Sequence, residues 1–147
     1  PGDVNWTVER VALPPSSDVE KHKTGMSEKM KDTSLLIVKP WNKNARQMVW
    51  LQRYEEGIKT DVSCLRLGRA RILNLPGELF VEYQLAAKAM RPDLFVAMAA
   101  YGDCGPCYIG TAVAYNQGGY EAGASYTSPA VEDVLMSAMR RLLQVKP

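Results

Sequence analysis

The 147-residue sequence has few of the residues that build metal clusters, disulfide frameworks and charged binding surfaces. It contains one histidine and three cysteines, and its 18 basic and 16 acidic side chains leave a formal net charge of +2. Three unevenly spaced cysteines do not form the disulfide framework of a small secreted domain. Because the charge is nearly balanced, no strong field attracts nucleic acid or anionic lipid, and neither is expected as a partner.

Long hydrophobic runs are also missing. The longest, at residues 34–38 and 94–101, fall far short of the roughly 20 apolar residues that a membrane-spanning helix needs, which predicts no transmembrane segment. The remaining composition is that of a globular protein, with 46% apolar and 23% charged residues. A chain of this length can bury roughly two-thirds of its unfolded surface and can therefore build a core.

The first 59 residues predict an N-terminal region of one extended segment and two helices. Alternating side chains over residues 4–13 are typical of a strand. A Lys-rich stretch over residues 19–31 predicts an exposed helix that is broken near Gly25. A second helix is predicted over residues 42–58. Its apolar face is expected to carry Ala45, Met48, Val49 and Gln52.

From residue 60 the pattern changes to alternating strands and helices. Two strand-like runs, at residues 60–67 and 69–75, turn on Gly68 and predict a hairpin. A helix is predicted over residues 76–90, with its proline in the first turn. The continuous apolar run at 94–101 is typical of a strand that is buried on both faces.

The last third of the chain continues this alternation. A short helix is predicted over residues 111–116 and a last strand over residues 122–127. Ser128 and Pro129 then open a final amphipathic helix. The fold class is therefore α/β, a mixed sheet with flanking helices. We divide the chain into residues 1–59, an N-terminal extended segment and helices, and residues 60–147, the α/β part.

Two side chains follow the ends of neighbouring predicted strands. Glu78 comes just after the strand at residues 69–75, and Tyr108 follows the strand at residues 94–101. If these two strands are parallel neighbours in one βαβ unit, both side chains open onto the same rim of the sheet. That rim is where open α/β sheets bind their ligands.

Cys104 and Cys107 form a Cys-Gly-Pro-Cys motif, which thioredoxin-like oxidoreductases also carry. The chemistry of these enzymes needs a thiolate of lowered pKa at the start of a long helix. In this sequence Gly110, Gly118 and Gly119 interrupt the residues that follow the motif. A zinc site on these thiols would need further ligands, and only Cys64 and His22 are candidates. Two ordinary thiols in a loop are the plainest interpretation of the motif.

Three short segments resemble the neutral (alkaline) ceramidase family. They are residues 75–78 (Leu-Pro-Gly-Glu), 108–111 (Tyr-Ile-Gly-Thr) and 117–121 (Gln-Gly-Gly-Tyr-Glu), in that order. The twelve-residue step between the two tyrosines is kept as well. The resemblance spans about residues 62–143. It implies that the chain is the C-terminal part of a larger α/β catalytic domain.

The resemblance also implies a zinc-dependent amidohydrolase. Members of the family hold zinc with two histidines, the glutamate of the Pro-Gly-Glu turn and the first tyrosine, and the metal activates a water that attacks the amide of an N-acylsphingosine. By this resemblance Glu78 and Tyr108 are zinc ligands, and Tyr120 is a catalytic residue that hydrogen-bonds the substrate's carbonyl oxygen. Carboxylate and phenolate oxygens suit a catalytic zinc that keeps one position open for water.

The sequence departs from the family pattern most clearly at the histidines. His22 is alone, and two ligands do not hold a catalytic zinc. Asp103 and Gly119 also stand where the family has asparagine and arginine. We therefore expect a divergent member that is inactive alone. Zinc is expected only together with an N-terminal, histidine-bearing part of the same protein. The expected partner is that missing part or a second copy of this chain. The expected substrate is a lipid amide.

The resemblance favours a secreted or periplasmic location. Two alternatives from other functional classes stay open at this point. The first is a thiol-disulfide redox module that uses Cys104 and Cys107. The second is a non-catalytic structural or binding domain, which would keep the fold but hold no metal.

Overall fold

A computed structural model describes residues 3–31, 38–102 and 105–145 of the chain. The strands are β1 (Val4–Val11), β2 (Thr60–Leu67), β3 (Ala70–Asn74), β4 (Glu78–Leu79), β5 (Phe95–Ala99) and β6 (Tyr108–Ile109). The helices are α1 (Val19–Lys31), α2 (Val38–Glu55), α3 (Val81–Met90), α4 (Ala112–Gln117), α5 (Tyr120–Gly123) and α6 (Val131–Leu142). Within these ranges no helix is both long enough and apolar enough to cross a membrane.

The main sheet has four strands in the order β1-β2-β3-β5. β1, β2 and β3 pair antiparallel, and β5 joins β3 in parallel. A second sheet of two short parallel strands is formed by β4 and β6. The predicted α/β class, a mixed sheet with flanking helices, is confirmed. The hairpin is confirmed too, since Gly68 lies between β2 and β3 with φ +55°.

The core lies between one face of the main sheet and helices α3 and α6. α6 packs on β1 and β2, and α3 packs on β5. The sheet contributes alternate side chains such as Val62, Leu73 and Val96, which are almost fully buried. α6 presents a buried stripe at helical spacing, made of Val131, Leu135, Ala138, Met139 and Leu142. Each large apolar side chain buried in this way contributes roughly 1.5–3 kcal/mol to stability.

The opposite face of the main sheet, which we call the open face, is flanked by α2 at one end, where Arg10, Asp61 and Asn74 line a cavity with Arg53. Its large exposed side chains are Val4, Trp6, Val8, Leu67 and Phe95. The prediction that the strand at residues 94–101 is buried on both faces is therefore wrong. Val96 points into the core, whereas Phe95 is 70% exposed on the open face.

The helix predicted over residues 76–90 begins later than expected. Gly77 has φ +69°, a left-handed conformation that does not belong to a helical first turn. Glu78 then lies in β4, where its backbone N–H donates to the Cys107 carbonyl at 2.7 Å. The helix itself starts at Val81, after this short strand.

The strand predicted over residues 122–127 is also wrong. Helix α5 occupies the first part of that range, and the only β contact of Thr127 among the described residues is an isolated bridge to Pro15. The local hydroxyls explain this, because the Thr127 N–H donates to Ser125 Oγ at 3.1 Å instead of to a neighbouring strand.

The two N-terminal helices differ from prediction in detail. α1 runs through Gly25 without a break. α2 buries Gln47, Trp50 and Leu51, whereas Val49, expected on the buried face, is 56% exposed. The domain boundary at residue 59 stays a prediction, and β1 pairs with β2 across it.

Candidate metal centre at the rim of the sheet

Glu78 and Tyr108, the predicted ligands, lie beyond the carboxyl ends of β3 and β5. The two chain segments that leave these parallel strands continue side by side. The Leu75 N–H donates to the Ala99 carbonyl at 3.0 Å, and the Tyr101 N–H donates to the Gly77 carbonyl at 2.8 Å. β4 and β6 then pair in parallel, with Glu78 directly opposite Tyr108. The structure therefore confirms that Glu78 and Tyr108 lie at one rim of the sheet.

Gly77 is the position that lets the two segments approach so closely. A Cβ at this position would lie 2.6 Å from the Cys107 carbonyl oxygen and 3.1 Å from side-chain atoms of Pro106 and Ile109. Real Cβ atoms do not come that near to a carbonyl, and φ +69° is unfavourable for any other residue. The glycine of the Pro-Gly-Glu turn therefore fixes the register that places Glu78 beside Tyr108.

The side chains of Glu78, Tyr108 and Tyr120 form one group. The Glu78 carboxylate raises the pKa of the Tyr108 phenol above its usual value, and partial desolvation and a hydrogen bond to Glu78 act in the same direction. The rings of Tyr108 and Tyr120 meet edge to face with centroids 5.9 Å apart. Tyr120 is 74% exposed, so its hydroxyl is open to an incoming ligand.

A set of hydroxyl groups that sequence reasoning missed supports the chain after Tyr108. The Tyr83 hydroxyl, fully buried, donates to the Gly110 carbonyl at 2.9 Å. The Tyr115 hydroxyl lies 2.8 Å from both Ser125 Oγ and Thr127 Oγ1. The hydroxyl-rich run Ser-Tyr-Thr-Ser at residues 125–128 is the sequence signal for this cluster. This cluster holds α4 against residues 125–127, which follow α5.

The remaining candidate ligands lie elsewhere. Cys64 is buried in β2, and burial raises the pKa of its thiol. His22 packs its ring against Tyr126 at 4.9 Å, and partial burial lowers its pKa. The Cys107 sulfur accepts a hydrogen bond from Gln47 Nε2 at 3.0 Å. Cys104, the first cysteine of the Cys-Gly-Pro-Cys motif, lies outside the described residues.

The described residues contain no group of three or more histidine, cysteine, aspartate or glutamate side chains that could hold a metal ion. The structure therefore brings together the two predicted oxygen ligands and Tyr120, and the Glu121 carboxylate is close enough to raise the pKa of Tyr108 as well. The arrangement is a partial ligand set at the rim of an α/β sheet.

No family profile and no curated protein sequence matches the chain. Solved structures of ceramidases share its fold. The neutral ceramidase from Pseudomonas aeruginosa aligns with 99% of this chain and 29% of its own, at a TM-score of 0.58 and 15% identity. A ceramidase complexed with C2 aligns with 61% of this chain and 16% of its own, at a TM-score of 0.50 and 18% identity. The chain thus spans less than a third of either ceramidase, and its fold is a divergent form of the neutral ceramidase fold.

Proposed function

We propose that this chain is the C-terminal portion of a zinc-dependent amidohydrolase that cleaves the N-acyl amide of a sphingolipid-like substrate. The observation that carries the proposal is the β4–β6 register, which sets Glu78 beside Tyr108 with Tyr120 against it. This register occurs in a fold that is similar to neutral ceramidases. The redox alternative has no comparable support, since the fold likeness is to ceramidases.

The chemistry of the donor set fits part of a catalytic zinc site. A carboxylate and a phenol oxygen are zinc ligands of the required kind, but such a site uses three protein ligands and one open position. Glu78 and Tyr108 supply two, and His22 is engaged with Tyr126. The imidazole ligands would come from the N-terminal part of the same protein. Zinc, when bound, supplies a Lewis acid and a water of lowered pKa.

The electrostatics of the pair define what a bound cation would change. Next to the Glu78 carboxylate the Tyr108 phenol keeps its proton, because the raised pKa lies above the ordinary value near 10. Two anionic oxygens side by side would repel each other, and a bound cation removes that repulsion. Tyr120, which is exposed and touches the Tyr108 ring, donates its hydroxyl proton in a hydrogen bond to the substrate's carbonyl oxygen.

Two further consequences belong to this proposal. The 147-residue chain alone is inactive, because it contributes only part of the metal site. The protein is secreted or periplasmic, which cell fractionation of the source organism tests.

The experiment is intact-mass spectrometry with elemental zinc analysis on the natively purified particle. We expect to find a histidine-bearing polypeptide, either continuous with this chain or separate from it, and about one zinc per site. We also expect the particle to hydrolyse a fluorogenic N-acylsphingosine. Glu78→Gln and Tyr108→Phe should then lose zinc. Glu82→Gln and Tyr54→Phe, which change the same functional groups away from the rim, should keep it. A 16.3 kDa species with neither zinc nor partner would instead favour the non-catalytic binding domain.

A further inference from the structure

The short helices that lead from Tyr108 to Tyr120 have little apolar anchoring of their own. α4 and α5 are six and four residues long, and neither contains a fully buried side chain. Gly118 and Gly119 join them with φ +75° and +107°. Because glycine adopts many backbone conformations readily, this connection does not by itself fix α5 relative to β6. The edge-to-face contact between the rings of Tyr108 and Tyr120 therefore needs another restraint.

The Tyr115 hydroxyl joins the two segments that carry these tyrosines. On one side it accepts a 3.4 Å hydrogen bond from the N–H of Gly110, two residues after Tyr108. On the other side it lies 2.8 Å from both Ser125 Oγ and Thr127 Oγ1, which are 3.0 Å from each other. The three hydroxyls form a closed triangle in which each donates one hydrogen bond and accepts another, since a hydroxyl carries one proton and two lone pairs.

Both ends of this hydroxyl network rest on backbone that is held in place from another direction. The carbonyl of Gly110 accepts a hydrogen bond from the buried Tyr83 hydroxyl at 2.9 Å. Residues 126–128 pair with residues 14–16 through two backbone hydrogen bonds of 2.9 Å. The network therefore connects two fixed points, and its length sets the distance between them.

We infer that Tyr115 is a positioning residue of the candidate metal centre, whose hydroxyl holds the segment after α5 so that Tyr120 meets Tyr108. The link from the network to Tyr120 is short. The Ala124 N–H donates to the Tyr120 carbonyl at 2.9 Å, so α5 is tied to the residue that precedes Ser125. The effect on catalysis rests on the proposed function, in which Tyr120 hydrogen-bonds the substrate's carbonyl oxygen.

Loss of the Tyr115 hydroxyl should displace Tyr120 more than Tyr108. Tyr108 stays in β6, whose pairing with β4 does not involve Tyr115, and Tyr83 still holds the Gly110 carbonyl. Tyr120 has no such second support on the side of α4. A catalytic group that moves by about 1 Å can cost on the order of 100-fold in rate. The metal ligands should therefore stay in place while the contribution of Tyr120 is lost.

Nuclear magnetic resonance of the 147-residue chain with labelled tyrosine rings tests the positioning without zinc or substrate. We expect a nuclear Overhauser effect between the Tyr108 and Tyr120 rings, whose centroids lie 5.9 Å apart. Tyr115→Phe and Thr127→Val should each weaken it at least about threefold, because a site is held only as closely as its supporting residues hold it. Thr127→Ser, which keeps the hydroxyl, should retain it. Tyr54→Phe, which removes a phenol hydroxyl from α2, is the matched control and should retain it too.

Kinetics of the natively purified particle test the effect on catalysis. Tyr115→Phe should lower kcat roughly 10- to 100-fold, with about one zinc still bound per site and KM changed less than about threefold. The phenylalanine keeps the ring beside Gly110, where an added Cβ would lie 3.6 Å from it, so the variant removes the hydroxyl alone. Loss of zinc in parallel with kcat would instead assign Tyr115 to the support of the whole rim and would overturn its specific role for Tyr120.

The ring contact also separates this inference from the proposed function. If Tyr115→Phe and Thr127→Val both keep the contact while circular dichroism shows them folded, the positioning role is refuted, whether or not zinc is present. A particle that holds no zinc but loses the contact in both variants refutes the proposed function and supports the positioning role.

Discussion

Replacing Gly77 by alanine is expected to lower the free energy of unfolding by about 3 kcal/mol. Two separate features of the structure lead to this value. Gly77 has φ +69°, and a Cβ there would lie 2.6 Å from the Cys107 carbonyl oxygen. That oxygen also accepts the 2.7 Å hydrogen bond from the Glu78 N–H, so moving it disturbs the β4–β6 pairing.

The magnitude follows from adding the two costs. Holding an L-residue in the left-handed region costs roughly 1–2 kcal/mol. Losing the hydrogen bond between Glu78 and Cys107 costs about 1 kcal/mol more, and the displaced backbone strains its neighbours Pro106 and Ile109. A small domain has a total stability of roughly 5–15 kcal/mol, so the loss should shift an unfolding curve clearly.

Urea unfolding of the Gly77→Ala protein measures this loss, and Gly57→Ala is the matched control. Gly57 follows the end of α2 with φ +74°, and an added Cβ there would meet no atom within 4 Å. It therefore reports the backbone cost alone, about 1–2 kcal/mol. If the two variants lose the same stability, the close approach of the Pro-Gly-Glu turn to Cys107 contributes nothing, and this turn does not fix the register of β4 and β6.

Three further variants test other parts of the structure. Tyr83→Phe should cost about 1–3 kcal/mol in thermal unfolding, because it leaves the buried Gly110 carbonyl unpaired. Burial raises the pKa of Tyr83. The contribution of its hydroxyl to the free energy of unfolding is therefore complete below about pH 10 and is lost as the pH rises above that value. The Tyr83→Phe protein should accordingly lose less stability in alkali than the wild type does. Glu78→Gln should lower the pKa of Tyr108 toward its ordinary value in a tyrosinate absorbance titration, and an unchanged titration would contradict the pairing at the rim. Gly25→Ala should stabilise the protein by roughly 0.5–1 kcal/mol, since Gly25 lies inside α1 with free space around it.

The parts of the fold that sequence reasoning predicted correctly are those set by local patterns. The hairpin of β2 and β3 needed only two alternating runs and Gly68 between them. The parallel pairing of β3 with β5 was the condition on which one shared rim was expected, and the structure meets that condition. That pairing was enough to expect Glu78 and Tyr108 at one rim, although their roles as ligands stay a prediction.

The predictions that failed depended on contacts distant in sequence. Proline and glycine before Glu78 are typical of a helix start, but the backbone of residues 107–109 offers hydrogen bonds that draw Glu78 into a strand. Likewise, the buried face of α2 is decided by what it packs against. Trp50 packs against Gly105, where an added Cβ would clash with the indole ring, and no periodicity in α2 could have indicated this neighbour.

The error at β5 is informative in a different way. The apolar run there predicted a strand buried on both faces, yet Phe95 is exposed while Val96 is buried. Because apolar side chains on an exposed face lower solubility and gain no stability in a monomer, such a sequence is expected only where a second layer covers that face. The apolar rows formed with Val4 and Trp6 on β1 show that this property belongs to the whole sheet and not to one strand. The failed prediction at β5 and the exposed face therefore record the same property, an apolar surface that spans β1, β2, β3 and β5.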